Sequence, residues 1–332
     1  MKEIITTRMR VQIFLPIWLF ILSMNPSFAQ EGIPVYYDYL TDNLTLLHPA
    51  MNGASRCSKV RLNGRMQWAG VQNFPMLQTL SVNSHLGKNS GFGLIIYNDR
   101  NGYHSQKGLQ FAFAHHLQLS KGNTFNQLSF GLSAMYSMNQ LDQTSFDPAL
   151  FDPVVSRVLE SAGYFNMDLG LAWHIQGFYF IASAKNILLM HRPLYSPDLE
   201  NANLRNYIGH IGYFIGKGRG LHFEPSVMMQ YKEYSEELIG DFNGKFYLDL
   251  SGGGALFFGA SYRNYFNSSS IQSLQDVSPF LGIFINRFTV SYVYTHQLSE
   301  TTFSQGGFHQ ITLGFNFDCR ERPPALVCPH LK

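Results

Sequence analysis

The stretch YFNMDLGLAWHIQ, residues 164–176, decides the fold of this chain. Its apolar side chains occupy every second position, and the positions between them carry polar or small side chains. This period of two predicts a β-strand and excludes a helix, whose apolar residues would recur three and four positions apart. The polar face contains Asp168 and His174, which suits a strand with lipid on one side and a wet or plugged interior on the other. The apolar positions are Phe165, Met167, Leu169, Leu171, Trp173 and Ile175.

Thirteen further segments after residue 56 show the same alternation or strand composition, and turn-forming residues separate them. Most have about the 9 to 11 residues with which a tilted strand crosses a bilayer. An even number of strands allows the first and the last to pair. We therefore predict an all-β fold for residues 56–318, a transmembrane antiparallel up-and-down β-barrel of about 14 strands. The predicted strands are 59–68, 76–87, 91–98, 107–119, 127–139, 164–176, 178–187, 207–215, 223–231, 242–250, 256–264, 280–285, 288–297 and 309–317.

The composition agrees with a membrane barrel. Only 14% of the residues are charged, whereas soluble domains have about 25%. Beyond the N-terminus no stretch approaches the roughly 20 apolar residues that a spanning helix needs, so only a closed barrel could cross a membrane. The net charge of +2 and the lack of a basic run argue against nucleic acid as a partner. Aromatic residues near strand ends predict interfacial girdles; they are Trp68, Phe74, Tyr97, Tyr103, Tyr136, Tyr164, Tyr207, Tyr231, Tyr265 and Phe317.

The N-terminus predicts export. Basic residues precede an apolar run at 11–24, and Ser27 and Ala29 supply the small side chains of a cleavage site, so residues 1–29 read as a signal peptide. Residues 30–55 lack alternation but are rich in tyrosine and leucine, which predicts an ordered extension that plugs or caps the barrel. Residues 319–332 form a tail containing cysteine and proline. Cys319 and Cys328 are candidates for a local disulfide, which would leave Cys57 single.

No catalytic, cofactor or metal site is predicted. His115 and His116 are adjacent, but successive side chains of a strand leave on opposite faces and cannot chelate one ion together. Glu224 and Arg263 are expected to face the lumen with Asp168 and His174, where charged groups usually pair or hold a plug. No set of residues meets the mutual geometry that a nucleophile and its base require.

Seven segments, in order, resemble the PorP/SprF family of outer-membrane proteins of the type IX secretion system. In the family His48 is usually asparagine, and Gln310 is commonly glutamate. The likeness extends over residues 30–318, and the Cys-containing tail lies outside it. The segments are YYDYLTDNLTLLHPAMNGAS (36–55), RMQWAGVQNFP (65–75), GFGLIIYNDRNG (91–102), LRNYIGHIGYFI (204–215), FEPSVMMQY (223–231), GASYRN (259–264) and FHQITLGFNF (308–317).

The resemblance implies a non-enzymatic role in export through the type IX system, and in surface anchoring of adhesin-like proteins in gliding bacteria. The implied partners are a secreted client protein and other type IX components, with outer-membrane lipid around the barrel. Two long connections, 140–163 and 188–206, are predicted on the extracellular side and could grip the client. Their candidate residues are Asp147, Pro148, Phe151, Asp152, Pro153, His191, Arg192 and Tyr195. The alternative is a transport pore or a carrier for small or hydrophobic compounds.

Overall fold

The computed structural model describes residues 43–68, 74–120, 124–144, 158–190, 203–216, 219–251, 253–266, 275–298 and 307–320. Within them, fourteen strands form one closed antiparallel barrel, in which sequential strands pair and the last pairs with the first. The prediction of a 14-stranded up-and-down barrel is confirmed. The strands are β1 (Ser58–Gln67), β2 (Met76–Leu86), β3 (Ser90–Asn101), β4 (His104–Gln118), β5 (Asn126–Asp142), β6 (Leu159–Ile175), β7 (Phe178–Lys185), β8 (Asn206–Tyr213), β9 (Leu221–Lys232), β10 (Glu237–Asp249), β11 (Ala255–Tyr265), β12 (Gln275–Ile285), β13 (Phe288–Gln297) and β14 (Phe308–Phe317).

The two faces of β6 lie in the environments that its alternation predicts. Asp168 and His174 are fully buried and point into the barrel, whereas Leu169 is 48% exposed on the outer surface. Other strands repeat the pattern: Phe111 of β4 and Leu281 of β12 are large exposed apolar residues. The apolar outer surface therefore suits a hydrocarbon environment.

The connections differ in length between the two ends of the barrel. At one end lie short turns such as 87–89, 176–177 and 286–287, together with the start of β1 and the end of β14. The connections 143–158 and 186–205 lie at the other end. Outer-membrane barrels have short periplasmic turns and long outer loops, so the second end is the extracellular one.

The β5–β6 hairpin is longer than the sequence pattern predicts. Its pairing continues to Asp142 and Leu159, so the predicted loop at 140–163 contracts to 143–158. Each of these strands has 17 residues, more than the 9 to 11 that cross a bilayer. The hairpin therefore projects beyond the membrane. There the outer side chains no longer meet lipid, so the alternation that marks a membrane strand fades.

The predicted aromatic girdle needs a correction at two positions. Tyr136 and Tyr207 are exposed on the outer surface, as a girdle requires. Tyr97 and Tyr164 instead point inward and are buried, because each occupies the inward parity of its strand. The Tyr97 hydroxyl donates a hydrogen bond to Ser137 Oγ at 3.0 Å, and a buried phenol of this kind requires such a partner.

Candidate functional site

The segment Asn43–Ser55, called the plug below, fills part of the barrel interior. All of its residues are buried, and its regular structure consists of two 3₁₀ turns, Leu44–Leu46 and Pro49–Met51. None of the described helices is long and apolar enough to cross a membrane. The expected plug is thus present for this part of the extension. Residues 30–42, the signal peptide at 1–29 and the tail after residue 320 lie outside the described residues.

The plug joins apolar side chains from opposite walls of the barrel. Leu44 and Met51 belong to one buried cluster, and Leu46 and Leu47 belong to a second. The wall residues of the first cluster come from β6, β7, β10 to β13 and the β4–β5 and β8–β9 connections, and those of the second come from β2, β3, β8 and β9. The interior at this level is therefore a packed core. The wall members are Phe125, Ala172, Tyr179, Ile181, Phe214, Tyr247, Phe257, Phe280 and Val293, and then Leu77, Ile95, Tyr97, Ile208 and Met228.

Glycines on the wall admit the backbone of the plug. Gly53 of the plug has φ +69° and packs against the backbone of Gly91 in β3. A Cβ on Gly91 would collide with the plug at Asn52, and one on Gly131 would collide with the plug backbone at Ala50. Two of the motifs shared with the family, residues 36–55 and 91–102, therefore meet inside the barrel. Only glycine permits so close an approach of two backbones.

Basic side chains of the wall donate hydrogen bonds to carbonyl groups of the plug. Lys185 Nζ lies 3.3 Å from Leu46 O, and His116 Nε2 lies 3.0 Å from Asn52 O. His85 Nε2 lies 2.5 Å from Ser55 O. A carbonyl oxygen only accepts, so each of these histidine nitrogens carries a proton. The three donors satisfy plug carbonyls that the short 3₁₀ turns leave without a backbone donor.

His48 is a contact between the plug and the wall. Its Nδ1 lies 2.8 Å from Ser183 Oγ on β7. Its ring stacks on that of His210 on β8, with 6.2 Å between the ring centroids. The imidazole therefore makes one polar contact and one ring contact with the wall.

The lumen residues predicted from the strand pattern all point inward, but they form separate pairs. Asp168 accepts from Gln110, Ser133 and Lys185, and its Oδ1 also accepts from the backbone N–H of residue 186. Glu224 accepts from the hydroxyls of Tyr179 and Tyr247 at 2.9 and 2.6 Å.

The Arg263 guanidinium binds both carboxylate oxygens of Asp241, at 2.6 and 3.0 Å. Such bidentate pairing keeps two buried charges hydrogen-bonded inside the barrel. His174 is fully buried beside the Tyr179 ring. Sequence reasoning missed Lys185, whose inward parity on the predicted strand 178–187 was a usable signal, and Asp241, which lies one residue before the predicted strand 242–250.

The arrangement does not bring the two adjacent histidines together. His116 points inward and is buried, whereas His115 lies on the outer face beside Ser90. In the part of the chain that the structure describes, no three His, Cys, Asp or Glu side chains are placed to hold a metal ion.

The disulfide expectation is wrong. Cys319 is bonded to Cys57, 262 residues earlier, so it cannot pair with Cys328. The reason is the closure of the barrel: β1 and β14 pair with Ser58 opposite Phe317, which brings the residues flanking that pair together. Backbone hydrogen bonding continues beside the bridge, where the Arg320 N–H donates to Arg56 O at 3.1 Å. The bond therefore ties the end of the plug to the end of the last strand.

All eight candidate loop residues lie outside the described residues.

The described parts of the rim nearby form a polar cluster around Glu233, between β9 and β10. Glu233 accepts from the Tyr207 hydroxyl at 2.7 Å, from Asn203 at 3.0 Å and from Arg205 at 3.2 Å. The Tyr207 hydrogen bond, with the other two groups, lowers the pKa of Glu233 below its ordinary value.

A shallow apolar depression of about 660 Å³ lies on the outer wall below this cluster. Its floor includes the small residues Ala182, Ala184 and Gly209, and Leu169 and Met229 stand on either side. The depression follows the short strands β7 and β8, directly below the projecting part of β6.

The chain matches solved structures of a channel, an autotransporter domain and an outer membrane secretin. A structure titled CymD monoaromatic hydrocarbon channel shares 10% identity at a TM-score of 0.49, covering 87% of this chain and 94% of that one. The translocator domain of autotransporter NalP from Neisseria meningitidis shares 12% identity at a TM-score of 0.32, covering 79% and 88%. A bacterial polysaccharide outer membrane secretin shares 9% identity at 0.39, covering 79% and 99%. Among curated proteins none matches the chain.

The sequence profile of the type IX secretion system membrane protein family PorP/SprF matches residues 28–315. This range includes the plug and nearly the whole barrel. A member of this family is an outer-membrane barrel that serves protein secretion with the other components of the type IX system. The chain belongs to the PorP/SprF family of type IX secretion system membrane proteins.

Proposed function

We propose that this barrel is a non-enzymatic component that supports export of one secreted protein and holds that protein at the cell surface. The client would be an adhesin-like protein, and in gliding cells it would serve motility. One observation carries the proposal: the plug packs against opposite walls of the lumen and accepts a hydrogen bond from Lys185. A pore for small compounds needs a continuous passage, whereas an anchor needs a rigid barrel.

The extracellular rim is the surface that this arrangement leaves for a client. The connections 143–158 and 186–205 lie there and include all eight candidate contact residues. Inside the rim, the charged pairs and the plug hold the strands in place, so a load on the loops is transferred to the whole barrel. The signal peptide at residues 1–29 would deliver the chain to the outer membrane.

The test is affinity purification of the tagged barrel from detergent-extracted outer membranes, with mass spectrometry of the bound proteins. We expect a large secreted protein in stoichiometric amount, together with type IX components. Variants lacking 145–157 or 191–202 should lose the secreted protein and keep the barrel, which heat-modifiable gel migration would verify. Recovery of the barrel alone, with ion conductance in planar bilayers, would instead identify a transport pore.

A further inference from the structure

Among the described residues, the upper part of β6 at the extracellular rim pairs on one side only. This strand pairs with β5 over its whole length from Leu159, but with β7 only from Leu169 onwards. The described start of the β7–β8 connection adds one further backbone bond, from the N–H of Ile187 to Met167 O at 3.0 Å, and the backbone of Leu188 exchanges two hydrogen bonds with the Asn166 side chain. Beyond Met167, no backbone-to-backbone hydrogen bond joins a described residue to the β7 side of β6.

The direction of the backbone groups on this edge follows from bonds at both ends of the hairpin. Val158 O accepts from the N–H of residue 143, and the N–H of residue 176 donates to Phe125 O. The backbone N–H and C=O groups of the even-numbered residues of β6 therefore point towards β5. The bond at Met167 is on the opposite side. Because N–H and C=O groups alternate along a strand, those of four residues face away from β5. These residues are Leu159, Ser161, Gly163 and Phe165.

The N–H and C=O groups of these four residues are arranged to bind an extended peptide backbone. An extended peptide backbone presents alternate N–H and C=O groups at the spacing of the edge, and strand addition of this kind is a common mode of peptide recognition. Natural barrels usually shield or blunt such edges. The side chains of the four edge residues are small or apolar, and Leu159 is 55% exposed. An added strand could place apolar side chains beside Leu159 and Phe165 and continue towards the apolar depression at Ala184.

We propose that an extended segment of the secreted client adds to β6 as a further strand along Leu159–Phe165, with apolar side chains on its outward face. This inference rests on the proposed function, because it specifies how the client is held. It differs from a grip by loop side chains, since the main attachment would be backbone hydrogen bonds of the hairpin.

The test compares Ser161→Pro with Ser161→Thr in cells. Proline removes an N–H that faces the open edge and places its ring there, while the bonds of β6 to β5 stay intact. Threonine keeps the N–H and favours a strand. We expect Ser161→Pro to reduce the client recovered per barrel about tenfold, as for a loss of one well-made hydrogen bond and its neighbour, and Ser161→Thr to recover the wild-type amount.

Residue-resolved hydrogen exchange on the purified barrel gives a second readout that needs no client. The amides of Ser161, Gly163 and Phe165 should exchange rapidly in the barrel alone, whereas that of Ala162 should be protected. Protection of the odd-numbered amides in the barrel alone would overturn the inference, because the chain itself would then cover the edge. Equal client recovery by wild type and Ser161→Pro would overturn it while the proposed function stands. A wild-type barrel that recovers no client would overturn both.

Discussion

Lys185 Nζ lies 3.0 Å from Asp168 Oδ2 inside the barrel, and the two side chains are 8% and 1% exposed. The same ammonium group donates to Leu46 O of the plug, so this pair joins β6, β7 and the plug. Gln110 and Ser133 complete the hydrogen bonding of the carboxylate. The pair therefore couples plug position to wall structure.

Substituting one partner of this pair should be costly. Lys185→Met leaves the buried Asp168 carboxylate without its cation, which we expect to lower the free energy of unfolding by about 3–5 kcal/mol. Denaturant unfolding in lipid vesicles, followed by tryptophan fluorescence, measures the change. Lys185→Met with Asp168→Asn should recover most of the loss, because the remaining amide still accepts hydrogen bonds. Lys88→Met in an exposed turn is the control, and an equal effect there would contradict the assignment.

The wall glycines provide a prediction about lumen closure. Gly91→Ala or Gly131→Ala places a methyl group against the plug backbone, so the plug must shift. We expect either variant to raise ion conductance in planar bilayers several-fold over wild type. Gly64→Ala is the matched control, since a Cβ there would meet no atom within 4 Å. A closed, stable Gly131→Ala barrel would show that the plug does not seal the lumen.

Most of the barrel could be predicted because lipid and lumen impose opposite demands on alternate residues. For β13 the predicted bounds, 288–297, coincide with Phe288–Gln297. The strand prediction failed where the outer face of a strand no longer contacts lipid. Above the bilayer, LESAG at 159–163 shows little contrast between its two faces, so the sequence pattern predicts a loop where the structure has the upper part of β6. The exposed edge followed only from the pairing with β7.

Contacts between distant segments were less accessible to sequence reasoning. Asp168 was expected to face the lumen, but its partner Lys185 depends on the register of β6 with β7. The Cys57–Cys319 bond likewise depends on how the barrel closes. Once the first and last predicted strands are paired, however, these two cysteines fall beside each other. Spacing along the chain favoured the nearer Cys328 and so pointed to the wrong bond.

The disulfide provides a prediction about stability. Cys57→Ala or Cys319→Ala removes a bond between residues that are 262 positions apart in the sequence. Either substitution should lower the free energy of unfolding by about 2–4 kcal/mol. The cost arises largely because the unfolded chain gains freedom. Cys328→Ala should leave stability unchanged. Peptide mapping without reductant should recover the peptides of Cys57 and Cys319 joined, and a linked Cys319–Cys328 peptide would contradict the structure.

The rim cluster predicts a dependence of stability on pH. The hydrogen bonds to Glu233, first of all that from Tyr207, lower the pKa of its carboxyl in the folded protein. A lowered folded pKa contributes stability that is complete above the ordinary glutamate value of 4.5 and is lost as pH falls through the folded value. Tyr207→Phe removes the largest cause, so the stability difference between wild type and this variant should be greater at pH 7 than at about pH 3. Unfolding midpoints over this range measure it, with Glu233→Gln as the variant that cannot titrate. A difference that is constant with pH would show that Tyr207 acts through packing alone.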